Sequence, residues 1–320
     1  MTGIQYFVKK NQTIFLSYLT VVFMVVAMSI IRPEFGSLGH IRMMLIDASV
    51  LGILALGLTF VIITGGIDLS LQWTLNVAAI VLTMAYKNNP NALIFIVPLV
   101  LLGGTLVGLI NGFGVAYLEL NPMIMTFGMN VILQGGLLAI TKGRPGEYAP
   151  KAIRDFVLGD SLILPNMFFF WLILIVTTTL ILTRTPFGRR VYAIGNSDTV
   201  AYYSGVNTRF TKMMCYCLSS ATSALGGILL VGRFQQSYLG MGDFIVFQAI
   251  AVVAVGGTSL SGGTGSYAGT VAGAFIITIL TSLLSAIKMP TSLQQIVYGI
   301  ILIFSVIVSS SKVRKESMLK

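Results

Sequence analysis

Residues 183–212 read TRTPFGRRVYAIGNSDTVAYYSGVNTRFTK, a long polar segment between two apolar runs, and its charge is one-sided. It carries Arg184, Arg189, Arg190, Arg209 and Lys212 against a single acid, Asp198, an excess that marks a cytoplasmic loop of a membrane protein. Its centre is different. Across 199–206 the chain is small, aromatic and uncharged, with Asp198 placed to cap a short helix and Gly205 placed to end it. A short helix at the membrane surface suits the docking of a cytoplasmic partner. A solvated connector that only sets topology fits the same composition.

The chain around this segment has 320 residues, 56% of them hydrophobic and 9% charged, with a mean hydropathy of +0.91. Soluble domains do not have that balance. One helical crossing takes about 20 apolar residues, and several such runs are present, so the expected fold class is an all-α polytopic membrane protein. The net charge of +10 is scattered over loops and termini with no basic helix or aromatic–basic motif. It therefore points to anionic lipid headgroups and not to nucleic acid. Cys215 and Cys217 sit two apart and diverge on a helix, so neither a disulfide nor a metal site is expected.

Ten transmembrane helices are read along the chain. Lys9 and Lys10 before the run 14–31 give the outline of a signal peptide, but Arg32, Pro33 and Glu34 follow without a small-residue cleavage pattern, so this is a retained first span. The others are 45–64, 71–86, 93–117, 123–140, 167–182, 213–231, 244–255, 267–287 and 293–308. Asp47 falls near the outer end of the second span, where headgroups solvate it. The eighth span is short for a full crossing, so a re-entrant segment is an alternative there. An even count puts both termini on one side. Termini and the 183–212 loop together hold more than half of the 20 basic residues with few opposing acids, which places them in the cytoplasm. The loop 141–165, nearly balanced in charge, is external in this frame.

An internal repeat is visible. GTLVG at 104–108 precedes a turn ending in Pro122, and GTVAG at 269–273 precedes one ending in Pro290. The shift is five spans, which reverses direction through the membrane, as in the inverted repeats of transporters. The chain is thus read as one transmembrane domain over 1–320, with repeat halves of roughly 1–140 and 166–310. A second match, GGIDLS at 65–70 with GGTSLS at 256–261, does not fit that frame, so it is either accidental or the sign of a re-entrant segment.

A transport route needs polar groups facing inward. Asp68, Gln72 and Asn76 recur at helical spacing with Trp73 beside them; Thr126, Asn130 and Gln134 repeat the pattern, and Asn111 adds an amide. Amides, one carboxylate and an aromatic face suit a neutral hydroxylated solute. The same side chains equally suit bonding between helices, and Asp68 suits a helix cap. No phosphate-cradling G-x-x-x-x-G-K-[ST] occurs, and the single histidine, His40, stands without a hydrolytic constellation. Intramembrane acids are scarce, so ion coupling lacks its usual groups. Uphill transport would draw its energy from another subunit.

The motifs TGGIDLS at 64–70, Asn111-Gly112 with Pro122 and Thr126, FGRRVYAIGNSDTVAYYSGV at 187–206 and VGGTSLSGGTGSYAGTVAGA at 255–274 resemble the permease subunits of the ribose-type, or monosaccharide, family of bacterial ABC importers. That resemblance implies a ten-span subunit of the bacterial inner membrane working as a homo- or heteromeric dimer. It implies a cytoplasmic ABC ATPase that binds the ATP, an extracytoplasmic solute-binding protein, and no cofactor on this chain. It also assigns Gly188, Arg189, Ala193, Gly195, Ala201 and Gly205 to the segment coupled to the ATPase. Where the family continues GGIDLS with small residues, this chain has Leu71-Gln72-Trp73, which leaves the solute open. The alternatives are a stand-alone carrier or channel, or an ABC permease for nucleosides or branched-chain amino acids.

Overall fold

The computed structural model describes residues 12–144, 146–161 and 164–318. Helix α1 (Gln12–Ile31) leads through a 3-10 turn to α2 (Leu38–Ile63), followed by α3 (Leu71–Tyr86), α4 (Leu93–Ala116) and α5 (Pro122–Thr141). A short α6 (Lys151–Leu158) and a two-stranded hairpin, β1 (Asp160–Ser161) with β2 (Leu164–Pro165), lie in the 141–165 loop. Then come α7 (Asn166–Arg184), α8 (Pro186–Asn196), α9 (Asp198–Tyr203), α10 (Thr208–Phe234), α11 (Ile245–Val255), α12 (Tyr267–Ala286) and α13 (Thr291–Met318).

The helices start where the sequence supplies a cap. Asn121 accepts from Met123 and Ile124 N–H with Pro122 at the first helical position, and Asn207 and Ser266 do the same work for α10 and α12. The segment 183–212 holds two helices where one was expected. Thr185 caps α8, and α9 is capped by Ser197, whose Oγ accepts from Val200 N–H, and not by Asp198. A serine one residue earlier reaches the orphan N–H groups, which leaves Asp198 in the first turn to pair with Lys212 at 2.7 Å. Gly205 ends the segment as read, in the left-handed region at φ +80°.

Among the described residues six helices are long and apolar enough to cross a membrane: α2, α4 with its leading 3-10 turn, α5, α7, α10 and α12. The other four apolar runs form shorter apolar helices within α1, α3, α11 and α13. The 11 residues of α11 rise only about 16 Å. Burial ranks the helices. The apolar window of α2 is 94% buried and that of α10 is 78% buried, against 17–22% for α4, α5 and α7. So α2 and α10 pack on each other at the centre; α3 and α4 lie against α10, α11 and α12 lie against α2, and the remaining faces are apolar and outward.

Glycine sets the spacing at that centre. A Cβ on Gly108 of α4 would stand 2.3 Å from Tyr216 O of α10, and one on Gly57 of α2 would stand 2.4 Å from Ser219 Cα. The backbones touch where no side chain intervenes. In the repeat motif, Gly104 and Gly108 face α10, whereas Gly269 and Gly273 of α12 face Gly256 and Val252 of α11. Gly103, one residue off the α4 contact line, has nothing within 4 Å. Gly108→Leu should therefore cost about 1–3 kcal/mol or more by overpacking, read as a lower unfolding temperature in detergent, while Gly103→Leu leaves the transition in place. Equal transitions for the pair would contradict this packing.

Candidate functional site

The two glycine-rich breaks that the sequence left unconnected meet in space. Gly263 N–H donates to Ile63 O at 2.9 Å, at the end of α2, and a Cβ on Gly262 would lie 3.0 Å from Gly65 Cα. Gly65, Gly262 and Gly263 all have φ near +80°, which L side chains adopt only with strain. Helix α8 lies on this junction. A Cβ on Gly195 would stand 2.5 Å from Gly263 N, Tyr192 donates its hydroxyl to Gly265 O at 2.8 Å, and Asn196 Nδ2 reaches Gly263 O at 3.4 Å. Burial pushes the Tyr192 hydroxyl above its ordinary range, so it stays a donor.

The residues expected to couple divide by position. Gly188 is buried against Leu182 O, Gly195 against the junction, and Ala201 is buried; Ala193 is half-buried, while Arg189 and Gly205 are exposed. The side chains that α9 presents outward are ones not singled out beforehand: Val200, Tyr202 and Tyr203, at 63%, 63% and 83% exposure. A cavity of about 620 Å³ separates them from the α4–α5 turn, with Glu119 paired to Arg209 and Asp198 paired to Lys212 at its rim.

The polar stripes are tied into the backbone of the first break. Thr126 Oγ1 accepts from Leu69 N–H at 3.0 Å and Asn130 Oδ1 from Trp73 N–H at 3.2 Å, so two positions one turn apart on α5 satisfy donors at the open start of α3. Asp68 is fully buried and accepts from the N–H and hydroxyl of Ser70, whose Oγ in turn accepts from Asn111 Nδ2 at 2.8 Å. Asn76 is buried and donates back to Gln72 O, and Trp73 packs with Ile80 and Leu137. Gln72 reaches across to Asp243 Oδ1 at 3.1 Å, and Gln134 is half-buried.

At the opposite end of the bundle lies a cavity of about 710 Å³ between the start of α2, the end of α10, the start of α11 and the end of α12. Asp47 lines it, and headgroups are not its only neighbours, as had been expected. Arg233 Nε and Nη2 donate to its two oxygens at 2.6 and 3.1 Å. His40 Nε2 lies 3.2 Å from Ser282 Oγ in the same wall. The sequence held the clue, since an acid at the outer end of the second span and a base just past the outer end of the seventh are brought to one side by the span order. Other pairs at this end, Arg42 with Asp160 and Arg154 with Asp155, explain why its charges nearly balance.

A bundle of apolar helices with a cavity at each end and a basic segment seated on a glycine junction is the architecture of a multi-pass membrane protein. Residues 40–306 match the family model described as branched-chain amino acid transport system / permease component. The chain is 32% identical to the ribose import permease protein of Haemophilus influenzae over 296 residues, covering 91% of each chain. It is 30% identical over 307 residues to the autoinducer 2 import system permease protein of Salmonella typhimurium, covering 93% of this chain and 92% of that one. With the galactose/methyl galactoside import permease protein of Escherichia coli it shares 32% over 333 residues, covering 96% and 98%. No solved structure matches the chain. The chain belongs to this family of ABC import permeases, on its monosaccharide-type branch.

If Asn130 serves the start of α3, Asn130→Leu leaves the Trp73 N–H unpaired and should lower stability by about 1–3 kcal/mol. Gln134→Leu, one turn further on, should be close to neutral. Paired thermal unfolding in detergent decides this, and an equal loss in the two variants would contradict the capping role.

Proposed function

We propose that this chain is the membrane-crossing subunit of an ATP-driven importer in a bacterial cytoplasmic membrane, moving a monosaccharide or similar small polyol inward by alternating access. The observation that carries this reading is the seating of α8 on the glycine junction that joins the end of α2 to the segment after α11. A push on α8 or α9 from the cytoplasm is transmitted through close backbone contacts to both halves of the bundle.

Ten crossings are consistent with the packing, and the one-sided basic charge of the termini and the 183–212 segment supports both termini inside. Exchanging α2, α3, α4 and α5 for α10, α11, α12 and α13 carries the contacts of α4 and α3 with α10 into those of α12 and α11 with α2. It likewise carries α3–α4 and α3–α5 into α11–α12 and α11–α13. That correspondence supports an inverted repeat, and rocking of one half against the other is the motion such a repeat allows. The similar proteins named as import permeases support the partners: a separate ATPase that binds the ATP, a solute-binding protein outside, and a second permease copy or paralogue. This chain binds no cofactor in that scheme and is no enzyme by itself. The relatives named for ribose and galactose support a sugar-like solute.

Within this reading the outward face of α9 with Val200, Tyr202 and Tyr203 is what the ATPase grips. Gly188 and Gly195 let α8 lie close to the bundle, Ala193 and Ala201 keep its seat small, and Arg189 holds the loop on the cytoplasmic side. Asp68, Asn76, Asn111, Thr126 and Asn130 shape the route by fixing the broken start of α3; Gln72, Trp73 and Gln134 stand beside it.

Gly205→Arg places a side chain where the backbone has φ +80°, with open space around it. Membrane insertion should persist, while solute-stimulated ATP hydrolysis by the assembled complex falls to the unstimulated rate. Full stimulation in that variant would remove the coupling role of this segment.

A further inference from the structure

We propose that the 710 Å³ cavity at the end of the bundle away from α8 and α9 is a binding subsite for a neutral polyhydroxylated solute. Buried Thr278 and half-buried Asp243 supply its polar contacts, and the Asp47–Arg233 pair lines its wall. This assignment rests on the import reading above and adds to it a place where solute pauses within one subunit.

Position is the first support. The two shortest apolar helices, α3 with 16 residues and α11 with 11, occupy matching places in the two halves. Each follows a glycine-bearing break that carries an aspartate: Gly65 and Asp68 before α3, Gly240 and Asp243 before α11. Interrupted helices at corresponding positions of an inverted repeat are where transporters build solute sites. The two breaks differ. Asp68 is fully buried and engaged with Ser70, whereas Asp243 is half-buried and lines the cavity. Gln72 holds Asp243 from the start of α3, at 3.1 Å. Thus the Gln72 amide, at the start of α3, fixes a carboxylate of the cavity wall.

The lining chemistry selects the ligand class. The volume lies within the roughly 300–1,000 Å³ of small-molecule sites. Thr278 is 6% exposed, lines the cavity, and its Oγ1 has no partner. A buried hydroxyl in that state calls for a ligand that can hydrogen-bond. Asp47 and Asp243 accept hydrogen bonds and Arg233 donates, so a molecule bearing several hydroxyls meets complementary groups along the polar part of a wall whose remainder is apolar. An anion would face two carboxylates against one guanidinium, and an apolar molecule would leave Thr278 unsatisfied. Phe244 and Tyr238 give apolar ring faces beside the polar groups. Burial, and then the nearby Asp243 carboxylate, push the Tyr238 hydroxyl above its ordinary range and keep it a donor.

The test uses the full chain in lipid nanodiscs without its partners, with radiolabelled D-ribose, D-galactose and myo-inositol as probes and D-ribose 5-phosphate as the anionic competitor. Saturable binding of at least one neutral probe is expected, with no competition by the phosphate. Asp243→Asn and Thr278→Val should each weaken it about 10-fold, the effect of one lost hydrogen bond to a buried or charged group. Thr278→Ser, which keeps the hydroxyl, should restore it. No binding of any neutral probe by the unaltered chain, or binding by Asp243→Asn and Thr278→Val as tight as by the unaltered chain, overturns the subsite. Uptake by the assembled importer separates the two readings. ATP-dependent uptake with an unchanged KM in both variants removes the subsite and leaves import standing. Binding without any ATP-dependent uptake by the assembled complex removes import and leaves the site.

Discussion

Unwound backbone inside an apolar bundle must find every hydrogen bond within the protein, and this constraint organises the molecule. With no water in the hydrocarbon, an unpaired N–H or C=O costs several kcal/mol, on the order of a fifth or more of a domain's net stability. The break between α2 and α3 meets the demand in three ways. Gly66 N–H turns back to Val61 O, Asp68 accepts from Ser70, and α5 lends Thr126 and Asn130 to Leu69 and Trp73 N–H. A helix that begins partway through the bundle is thereby fixed in register with its neighbours. The polar stripes are the means.

The second glycine break answers the same constraint differently. Its Gly263 N–H goes to the terminal carbonyl of α2, so a loop N–H caps a helix end, and α8 closes over the junction through Tyr192 and Asn196. Contacts made of backbone alone have little slack, because no side chain can change rotamer to absorb a shift. A displacement at α8 reaches the end of α2 and the segment before α12 together. At the far end of α2 stand Asp47 and the larger cavity, so the helix on which α8 is seated also forms a wall of that cavity.

Much of this was legible in the sequence. Each of the ten apolar runs read from hydropathy falls in a helix, and α3 begins and ends at the expected residues, because apolarity is a local property; α2 begins seven residues earlier than expected and α13 ends ten residues later, where polar residues continue the helix. One-sided charge and Gly205 marked the 183–212 segment and its end. Three things were not legible, each because it depends on the neighbours of a residue and not on its type. Ser197 rather than Asp198 caps α9, a choice settled by which side chain reaches the free N–H groups. GGIDLS and GGTSLS meet in space, and both need the φ near +80° that glycine allows. Asp47 and Arg233 lie far apart in sequence and pair only once α2 and α10 lie side by side.

In the proposed function the chain is a driven subunit with no power of its own. Proteoliposomes containing this chain, with and without a matched ATPase and solute-binding protein, test that most directly by following accumulation of labelled sugar against its gradient. Accumulation should require all components together with ATP on the cytoplasmic side, and it should cease when any one is withheld. Sustained accumulation by vesicles holding this chain alone would contradict it.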